Sequence, residues 1–221
     1  MNRIEHHESK WNFPFVEYSP EKKTAKLPLV IQLHGAGERG QGKERLSLVE
    51  VHGFPKLFKD GDYSCNCIFV FPQCPEDSFW AAKVESITAF IEQLKSEYDI
   101  DEDRIYLTGL SMGGFGTWYT AMARPDLFAA IAPVCGGGMA WNAGVLNMPV
   151  WVFHGAKDTT VSPTQSDEMV ERLRALGKDV TYTRIEGVGH NAWEYAYNRE
   201  LLAWLLSKKR ETVAKESGSW T

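Results

Sequence analysis

The sequence predicts an α/β protein with a mostly parallel central sheet and helices on both of its faces. Short β-branched and aromatic runs, bounded by Gly or Pro, alternate with amphipathic segments of helical length. Several of these runs are apolar throughout, which is typical of strands buried on both faces. The 221 residues, 43% of them apolar, suffice for one large domain with a buried core.

The first half of the chain supplies three predicted elements. Leu27 to His34 is a continuous apolar run that ends at a glycine-rich turn over residues 35–42, so we predict a buried strand. A second buried strand covers residues 67–71 and is stopped by Pro72. Residues 43–62 are irregular, with a candidate short helix near residues 55–59. Residues 81–98 carry apolar side chains at helical spacing and predict an amphipathic helix: Val84, Ile87, Phe90, Ile91, Leu94 and Tyr98.

The second half continues the alternation. A strand over residues 105–108 leads into Ser111, and the helix after this serine ends at Arg124 because Pro125 follows. Strands are then predicted over residues 128–134, 149–155 and 179–185, with helices over residues 163–176 and 192–206. Residues 135–148 are expected to form one extended loop.

We expect a single domain over residues 1–221, since the chain has no internal repeat and no linker. Residues 27–207 form the predicted core and residues 208–221 a polar tail. Residues 1–26 are polar apart from an aromatic-rich piece and are expected to form one or two edge strands. The aromatic side chains of that piece are Trp11, Phe13, Phe15 and Tyr18.

Charge and composition exclude several classes of partner. The net charge is −5 and no basic run is longer than Lys208 to Arg210, which argues against a nucleic-acid partner. No apolar stretch approaches the roughly 18 residues of a membrane span. Charged residues occupy the place where a signal peptide would have its apolar region, so a cytoplasmic protein is expected. The sequence leaves both a monomer and a homodimer open.

The cysteines predict free thiols and no metal site. Cys65, Cys67 and Cys74 lie close together, but a second ligand pair for zinc is missing. With Cys135 they are interpreted as free thiols, which fits a reducing cytoplasm.

A G-x-S-x-G pattern, Gly109 to Gly113, marks the candidate nucleophile. A strand, a sharp turn and a helix around Ser111 would hold its hydroxyl above the sheet edge in strained backbone geometry. Any Cβ at Gly109 or Gly113 would clash with the flanking backbone. The turn would also leave the amide of Met112 at a helix N-terminus, directed at an oxygen bound beside Ser111.

A serine hydroxyl needs a base, and the base needs an orienting acid. Of the two histidines after Ser111, His154 ends a strand, whereas His190 lies in a glycine-flanked loop after the sixth strand. His190 is therefore the predicted general base. Asp158 follows the fifth strand and is the predicted acid, with Glu186 as its rival. The remaining carboxylates lie on a solvated helix or at the wrong end of the sheet: Asp167, Glu168, Glu171 and Asp179.

The end of the first core strand is the predicted second half of an oxyanion hole. Small residues after His34 let the main chain approach a tetrahedral oxyanion, so the amide of Ala36 or Gly37 is expected to act with that of Met112. Each such donor contributes about 3 kcal/mol. Glu38 and Arg39 are expected either to pair with each other or to face substrate.

Three tryptophans near strand ends, Trp80, Trp141 and Trp193, predict an open, aromatic-lined substrate cleft. Gln73, after the second strand, is a further candidate for its lining. No insertion is long enough for a large lid, and residues 135–148 are the candidate mobile wall. Such a cleft suits short acyl chains and aromatic or glycosidic esters better than long lipids.

Four motifs, G-L-S-M-G-G, L-H-G-A-G, H-G-A-K-D and G-V-G-H, together resemble the α/β-hydrolase superfamily. Within it, the chain is similar to compact bacterial serine esterases, the phospholipase/carboxylesterase and dienelactone-hydrolase-like group related to feruloyl esterases and polyester depolymerases. The resemblance implies the α/β-hydrolase fold and hydrolysis of a small-molecule carboxylic ester through an acyl-enzyme, without a cofactor. Dienelactone hydrolases proper carry a cysteine nucleophile, so Ser111 argues against that activity.

The favoured hypothesis is a serine carboxylesterase for short-chain or aromatic esters. A feruloyl or acetyl-xylan type esterase and a prolyl-oligopeptidase-like peptidase are the alternatives with the same catalytic residues. A non-catalytic binding protein of this fold would normally lack one of Ser111, Asp158 and His190.

Overall fold

The computed structural model describes residues 1–21, 25–40, 45–59 and 65–210. Its strands are β1 Asn2–His6, β2 Phe15–Ser19, β3 Leu27–Leu33, β4 Ile68–Pro72, β5 Ile100–Leu110, β6 Ala130–Val134, β7 Val150–Gly155 and β8 Val180–Ile185. Its α-helices are α1 Pro55–Lys59, α2 Val84–Glu97, α3 Met112–Ala123, α4 Thr164–Ala175, α5 Trp193–Ala196 and α6 Arg199–Ser207. Short 3-10 helices cover Ala36–Glu38, Leu46–Glu50, Trp80–Ala82 and Ala140–Val145.

The strands of the described residues form one eight-stranded sheet in the order β1-β2-β4-β3-β5-β6-β7-β8. β3 to β8 are parallel, whereas β2 is antiparallel to both β1 and β4. The predicted mostly parallel sheet is therefore confirmed. Since parallel strands end at the same edge, the segments that follow β3, β5, β6 and β7 lie next to one another.

Helices cover both faces of this sheet, as predicted. Every residue of β3 is buried, and alternate side chains enter different cores. Leu29, Ile31 and Leu33 belong to the core that packs against α2, α3 and α4. Val30 belongs to the opposite core, which contains side chains of α1 and α6. These two cores explain why the central strands are apolar throughout.

The polar N-terminal segment contributes β1 and β2, so the sheet begins with an antiparallel pair. Residues 211–221 of the predicted tail, and Gln41 and Gly42 of the predicted glycine-rich turn, lie outside the described residues. Over the part of the chain that the structure describes, no helix is both long and apolar enough to cross a membrane.

The prediction of one helix over residues 192–206 is wrong. The chain leaves the helical conformation at Tyr197 and Asn198, between α5 and α6. Asn198 is extended, with φ −137° and ψ 179°, and its side chain accepts a hydrogen bond from the amide of Leu201. An asparagine in this position caps a new helix. The buried Tyr197 hydroxyl lies 3.1 Å from the Thr108 hydroxyl, which anchors the break to β5.

Smaller differences concern the ends of other elements. β5 begins at Ile100, five residues before the predicted strand, because Ile100 pairs with Leu27 of β3. The predicted helix over residues 81–98 is divided into a 3-10 turn at Trp80–Ala82 and α2. The long loop predicted over residues 135–148 contains the short 3-10 helix Ala140–Val145, where Ala143 is buried.

Candidate active site

Ser111 occupies the sharp turn between β5 and α3. Its φ is 54° and its ψ −117°, a conformation that non-glycine residues rarely adopt and that costs about 1–3 kcal/mol. The Ser111 amide donates to the Val134 carbonyl oxygen at 2.9 Å, which ties the turn to β6. A Cβ at Gly109 would lie 2.3 Å from the Gly113 carbonyl oxygen, and one at Gly113 would lie 2.0 Å from that of Leu33. Glycine is therefore required at both flanks.

The structure brings Ser111, His190 and Asp158 into one hydrogen-bonded chain. His190 Nδ1 lies 2.6 Å from Asp158 Oδ2, and His190 Nε2 lies 2.8 Å from the Ser111 hydroxyl. Because a carboxylate can only accept, Nδ1 carries the proton and Nε2 is left to accept the proton of the serine. The rival acid Glu186 is excluded, since its side chain is 81% exposed and contacts Arg184 instead.

The Asp158 carboxylate is buried and held in the ionised form. Burial alone would raise its pKa, but the hydrogen bond from His190 and those from the Val161 and Thr160 amides outweigh burial and leave the pKa below its usual value. Both amides donate to Oδ1 at 2.9 Å. The other oxygen, Oδ2, is thereby directed at His190.

The segment after β3 runs beside the serine. A Cβ at Gly35 would lie 3.7 Å from Ser111 Cβ and 3.0 Å from Leu110 Cδ1, so the main chain approaches the turn closely here. At Gly37 a Cβ would meet nothing within 4 Å, so of the small residues predicted to allow a close approach it is Gly35 that lies tightly against the turn. Ala36 begins the 3-10 helix, and its carbonyl oxygen accepts a hydrogen bond from Arg39 Nε at 2.9 Å.

Hydrogen bonds of His34 hold this segment in place. Its Nε2 accepts from the Cys74 amide at 2.9 Å, so its Nδ1 carries the proton and donates to the Gly35 carbonyl oxygen at 2.6 Å. The Trp80 indole N–H donates to the His34 carbonyl oxygen at 3.0 Å. Two successive carbonyl groups are thus held in place next to Ser111, which orients the amides that follow them.

Acid should destabilise the protein through His34. Burial lowers its pKa from 6.5 to about 4. Between pH 6.5 and about pH 4, His34 is therefore protonated in the unfolded chain but not in the folded protein. The free energy of unfolding falls as the pH is lowered through this interval. At about 1.4 kcal/mol per pKa unit, we expect a loss of about 3 kcal/mol in the free energy of unfolding between pH 7 and pH 4. Urea titrations of the wild type and His34→Asn measure it; equal acid losses in both would contradict this assignment.

Two predicted substrate-binding residues are instead structural. Trp80 is fully buried in the core between the sheet and α2, because its indole both packs against Phe13 and bonds the His34 carbonyl group. Gln73 is also fully buried, and its side-chain amide donates to the Glu38 and Arg45 carbonyl oxygens. Neither lines an open cleft.

The other two predicted aromatic residues are accessible. The Trp193 ring lies edge-on to the His190 imidazole, with 5.1 Å between the ring centroids, and 5.3 Å from His52. Trp193 is thus beside the hydrogen-bonded chain. Trp141 is 76% exposed on the 3-10 helix after β6, and its role in binding stays a prediction.

Glu38 and Arg39 have separate partners. Arg39 donates to the Ala36 and Ser78 carbonyl oxygens, so it supports the loop rather than substrate. The Glu38 carboxylate lies 3.9 Å from His34 Nδ1 and 4.0 Å from His52 Nε2. The pairing of Glu38 with Arg39 that the sequence left open is therefore not the arrangement found.

Within the described residues, Cys135, His154 and Asp158 place potential metal-ligand atoms within 4.8 Å of one another. Burial raises the pKa of the Cys135 thiol to about 12, whereas metal binding needs the thiolate. Asp158 Oδ2 is already bonded by His190 and contacted by His154. The donor chemistry does not fit a resident metal. All four cysteines are free, as predicted.

The sequence interpretation missed two structural roles. His34 was read only as part of a strand end, and His154 only as a rejected base. A signal for the second role existed, because His154 and Asp158 are four residues apart around a strand-to-turn transition. No pattern in the sequence indicated that Trp80 would bond the His34 carbonyl group, since that contact joins residues 46 positions apart.

Comparison with known proteins agrees with this geometry. The prolyl oligopeptidase family matches residues 81–142, which include the nucleophile turn. Poly(3-hydroxyalkanoate) depolymerase C of Paucimonas lemoignei is 28% identical over 200 residues, covering 73% of this chain and 48% of that protein. The bifunctional acetylxylan esterase/xylanase of Neocallimastix patriciarum is 28% identical over 163 residues, covering 71% of this chain and 23% of that protein.

Among solved structures, a thermostable esterase superposes with a TM-score of 0.79 at 32% identity, covering 95% of this chain and 63% of the other. The chain spans about half or less of the length of the two relatives named above. By their names, the solved structure and the relative from Neocallimastix patriciarum are esterases, and the relative from Paucimonas lemoignei is a depolymerase of poly(3-hydroxyalkanoate). With the sheet order and the strand–serine–helix turn, the likenesses identify the chain as a protein of the α/β-hydrolase fold.

Proposed function

We propose that the protein is a serine carboxylesterase in which Ser111, His190 and Asp158 form the catalytic triad. The observation that carries the proposal is the continuous hydrogen-bonded chain from the Ser111 hydroxyl through His190 to the ionised Asp158. A strained serine on a strand-to-helix turn, paired with an oriented imidazole, is the arrangement that activates an alcohol for acyl transfer.

In the acylation step, the Ser111 hydroxyl oxygen attacks the ester carbonyl carbon while His190 Nε2 takes the hydroxyl proton. The tetrahedral intermediate collapses, the alkoxide leaves and takes that proton from His190, and the acyl group remains on Ser111. Water then attacks the acyl-enzyme while His190 Nε2 takes its proton. The bond between the acyl carbon and the Ser111 oxygen breaks, that oxygen takes the proton back from His190, and the carboxylic acid is released. Asp158 stabilises the imidazolium that forms twice in each cycle.

The oxyanion is assigned to the amides at two N-termini. The amide of Met112 opens α3, and the amides of Ala36 and Gly37 lie in the first turn of the 3-10 helix after Gly35. His34, Trp80 and Arg39 hold the carbonyl groups of that loop and so preorganise its donors. Preorganised donors stabilise the developing negative charge without a reorganisation cost.

Short-chain or aromatic esters are the proposed substrates. Trp193 offers an aromatic side chain beside His190, and Trp141 is exposed on the segment after β6. Ser111 is partly exposed, so a small ester can reach its hydroxyl. The names of the relatives, which include an acetylxylan esterase, support an acyl group of this size.

A peptidase is the second candidate, because the prolyl oligopeptidase family matches residues 81–142. The same triad would cleave an amide if the amine leaving group were protonated by His190.

A panel of p-nitrophenyl esters from acetate to decanoate, with methyl ferulate and a dipeptide anilide, tests both candidates. We expect kcat/KM to be highest at acetate or butyrate and to fall at least about tenfold by decanoate, because the aromatic cleft holds little of a long chain. Anilide cleavage with inert esters would support the peptidase. A folded wild type that cleaves none of these compounds would refute the esterase proposal.

A further inference from the structure

His154 is a second histidine that contacts the proposed acid. It is the last residue but one of β7, is fully buried, and its Nε2 lies 3.2 Å from Asp158 Oδ2 and 3.0 Å from the Val161 carbonyl oxygen. Both neighbours of Nε2 can only accept hydrogen bonds. The geometry therefore requires a proton on His154 Nε2. This N–H donates to the Val161 carbonyl oxygen, and Asp158 Oδ2 is a second, longer contact of the same N–H.

The opposite edge of the His154 ring is anchored as well. Because Nε2 carries the proton of the neutral ring, Nδ1 accepts a hydrogen bond from the Ser166 hydroxyl at 2.8 Å. Ser166 belongs to α4, so a second element determines where the imidazole stands. An imidazole that is hydrogen-bonded at both nitrogens cannot rotate away from Asp158 without breaking buried hydrogen bonds.

Asp158 Oδ2 thus lies between two imidazoles, with His190 at 2.6 Å and His154 at 3.2 Å. Oδ1 is held by the Thr160 and Val161 amides. The amides fix one oxygen, but a carboxylate bound at one oxygen can still pivot. The His154 Nε2–H, 3.2 Å from Oδ2, opposes that movement electrostatically and draws part of the negative charge of Oδ2 away from His190.

We propose that His154 is a positioning residue for the esterase reaction: it fixes Asp158 Oδ2 in line with His190 and moderates how strongly the carboxylate holds the His190 proton. The proposal rests on the proposed esterase function. It assigns His154 no contact with substrate, since it is completely buried behind the acid. The titratable and polar groups that face His154 come from three places in the fold: Asp158 after β7, Cys135 after β6, and Ser166 and Asp167 of α4. His190 is connected to His154 only through Asp158.

Substitution of His154 by Asn or by Gln distinguishes the loss of the Nε2–H donor from the loss of the volume of the ring. The amide nitrogen of Gln reaches the position of His Nε2, whereas the shorter Asn reaches only that of Nδ1. In His154→Asn the contact with Ser166 is kept and the donor to Asp158 is lost. We expect kcat to fall about tenfold with KM changed less than twofold, because misplacement of a catalytic group affects the chemical step.

The pH dependence of kcat/KM separates the two roles, because it would not change if His154 were only a structural residue. Without the His154 donor, Asp158 retains more charge for His190, so the acidic limb of kcat/KM should move about half a unit to higher pH. His154→Gln should restore both kcat and the limb toward wild-type values. Equal losses in His154→Asn and His154→Gln, or a wild-type kcat and pH profile in His154→Asn, would overturn the proposal.

If His154→Asn does not fold, Ser166→Ala serves instead, since it leaves the donor in place and removes only its rear anchor. We then expect a smaller fall in kcat, about threefold, with the limb displaced in the same direction. An unchanged limb would overturn the proposal. The wild-type ester panel separates the two hypotheses, because an inactive wild type refutes the esterase function, whereas an active wild type with unaffected variants refutes only the role of His154.

Discussion

Replacement of Ser111 by alanine should reduce kcat for p-nitrophenyl acetate by at least about 10⁴-fold. The variant loses the only atom that would form the acyl-enzyme, while the turn keeps a residue with a Cβ of the same size. The folded structure should persist, since the Gly109 and Gly113 contacts that shape the turn are unaffected. Initial rates at saturating ester, together with the circular dichroism of both proteins, measure the effect.

Ser96→Ala is the matched control for this substitution. Ser96 is exposed on α2, and its hydroxyl bonds only the Gln93 carbonyl oxygen of its own helix among the contacts described. It should retain wild-type kcat. A Ser111→Ala protein with activity within tenfold of the wild type would show that another group is the nucleophile.

Replacement of Asp158 by asparagine should cost about 10⁴-fold in kcat. An asparagine amide can donate to His190 Nδ1, which would put the imidazole proton on Nε2 and leave no base for the serine. The substituted residue also cannot balance the imidazolium. Measurement of kcat for both the wild type and Asp158→Asn from pH 6 to pH 9 gives the size of the loss at each pH.

Glu186→Gln is the control for the acid, because Glu186 was the rival carboxylate in the sequence and is 81% exposed in the structure. Its kcat should stay within twofold of the wild type. Loss of activity in Glu186→Gln together with an active Asp158→Asn would exchange the roles of the two carboxylates.

The fold and the meeting of Ser111, Asp158 and His190 were predictable because they depend largely on local patterns. Buried parallel strands are apolar throughout, and Gly109 is required by the Gly113 carbonyl oxygen within the same turn, whereas Gly113 is required by the Leu33 carbonyl oxygen of β3. Each strand end then lies at one edge of the sheet. The spatial meeting of Ser111, Asp158 and His190 follows from the parallel topology alone.

The substrate cleft was less predictable, because a tryptophan near a strand end can point either into the core or toward solvent. Trp80 and Trp193 have similar positions relative to their strands, yet Trp80 is completely buried and Trp193 lies beside His190. What separates them is a hydrogen-bond acceptor, the His34 carbonyl group, supplied by a distant strand. The break between α5 and α6 likewise depends on the anchoring of Tyr197 to Thr108, 89 residues away.

The most direct test of the central claim is the mass of the protein after reaction with a fluorophosphonate, followed by peptide mapping. An activated serine displaces fluoride and retains the phosphonyl group, whereas unactivated hydroxyl groups do not react. We predict one adduct per chain, on the peptide that contains Ser111, and none in Ser111→Ala. An unmodified wild type, or an adduct at another residue, would contradict the account.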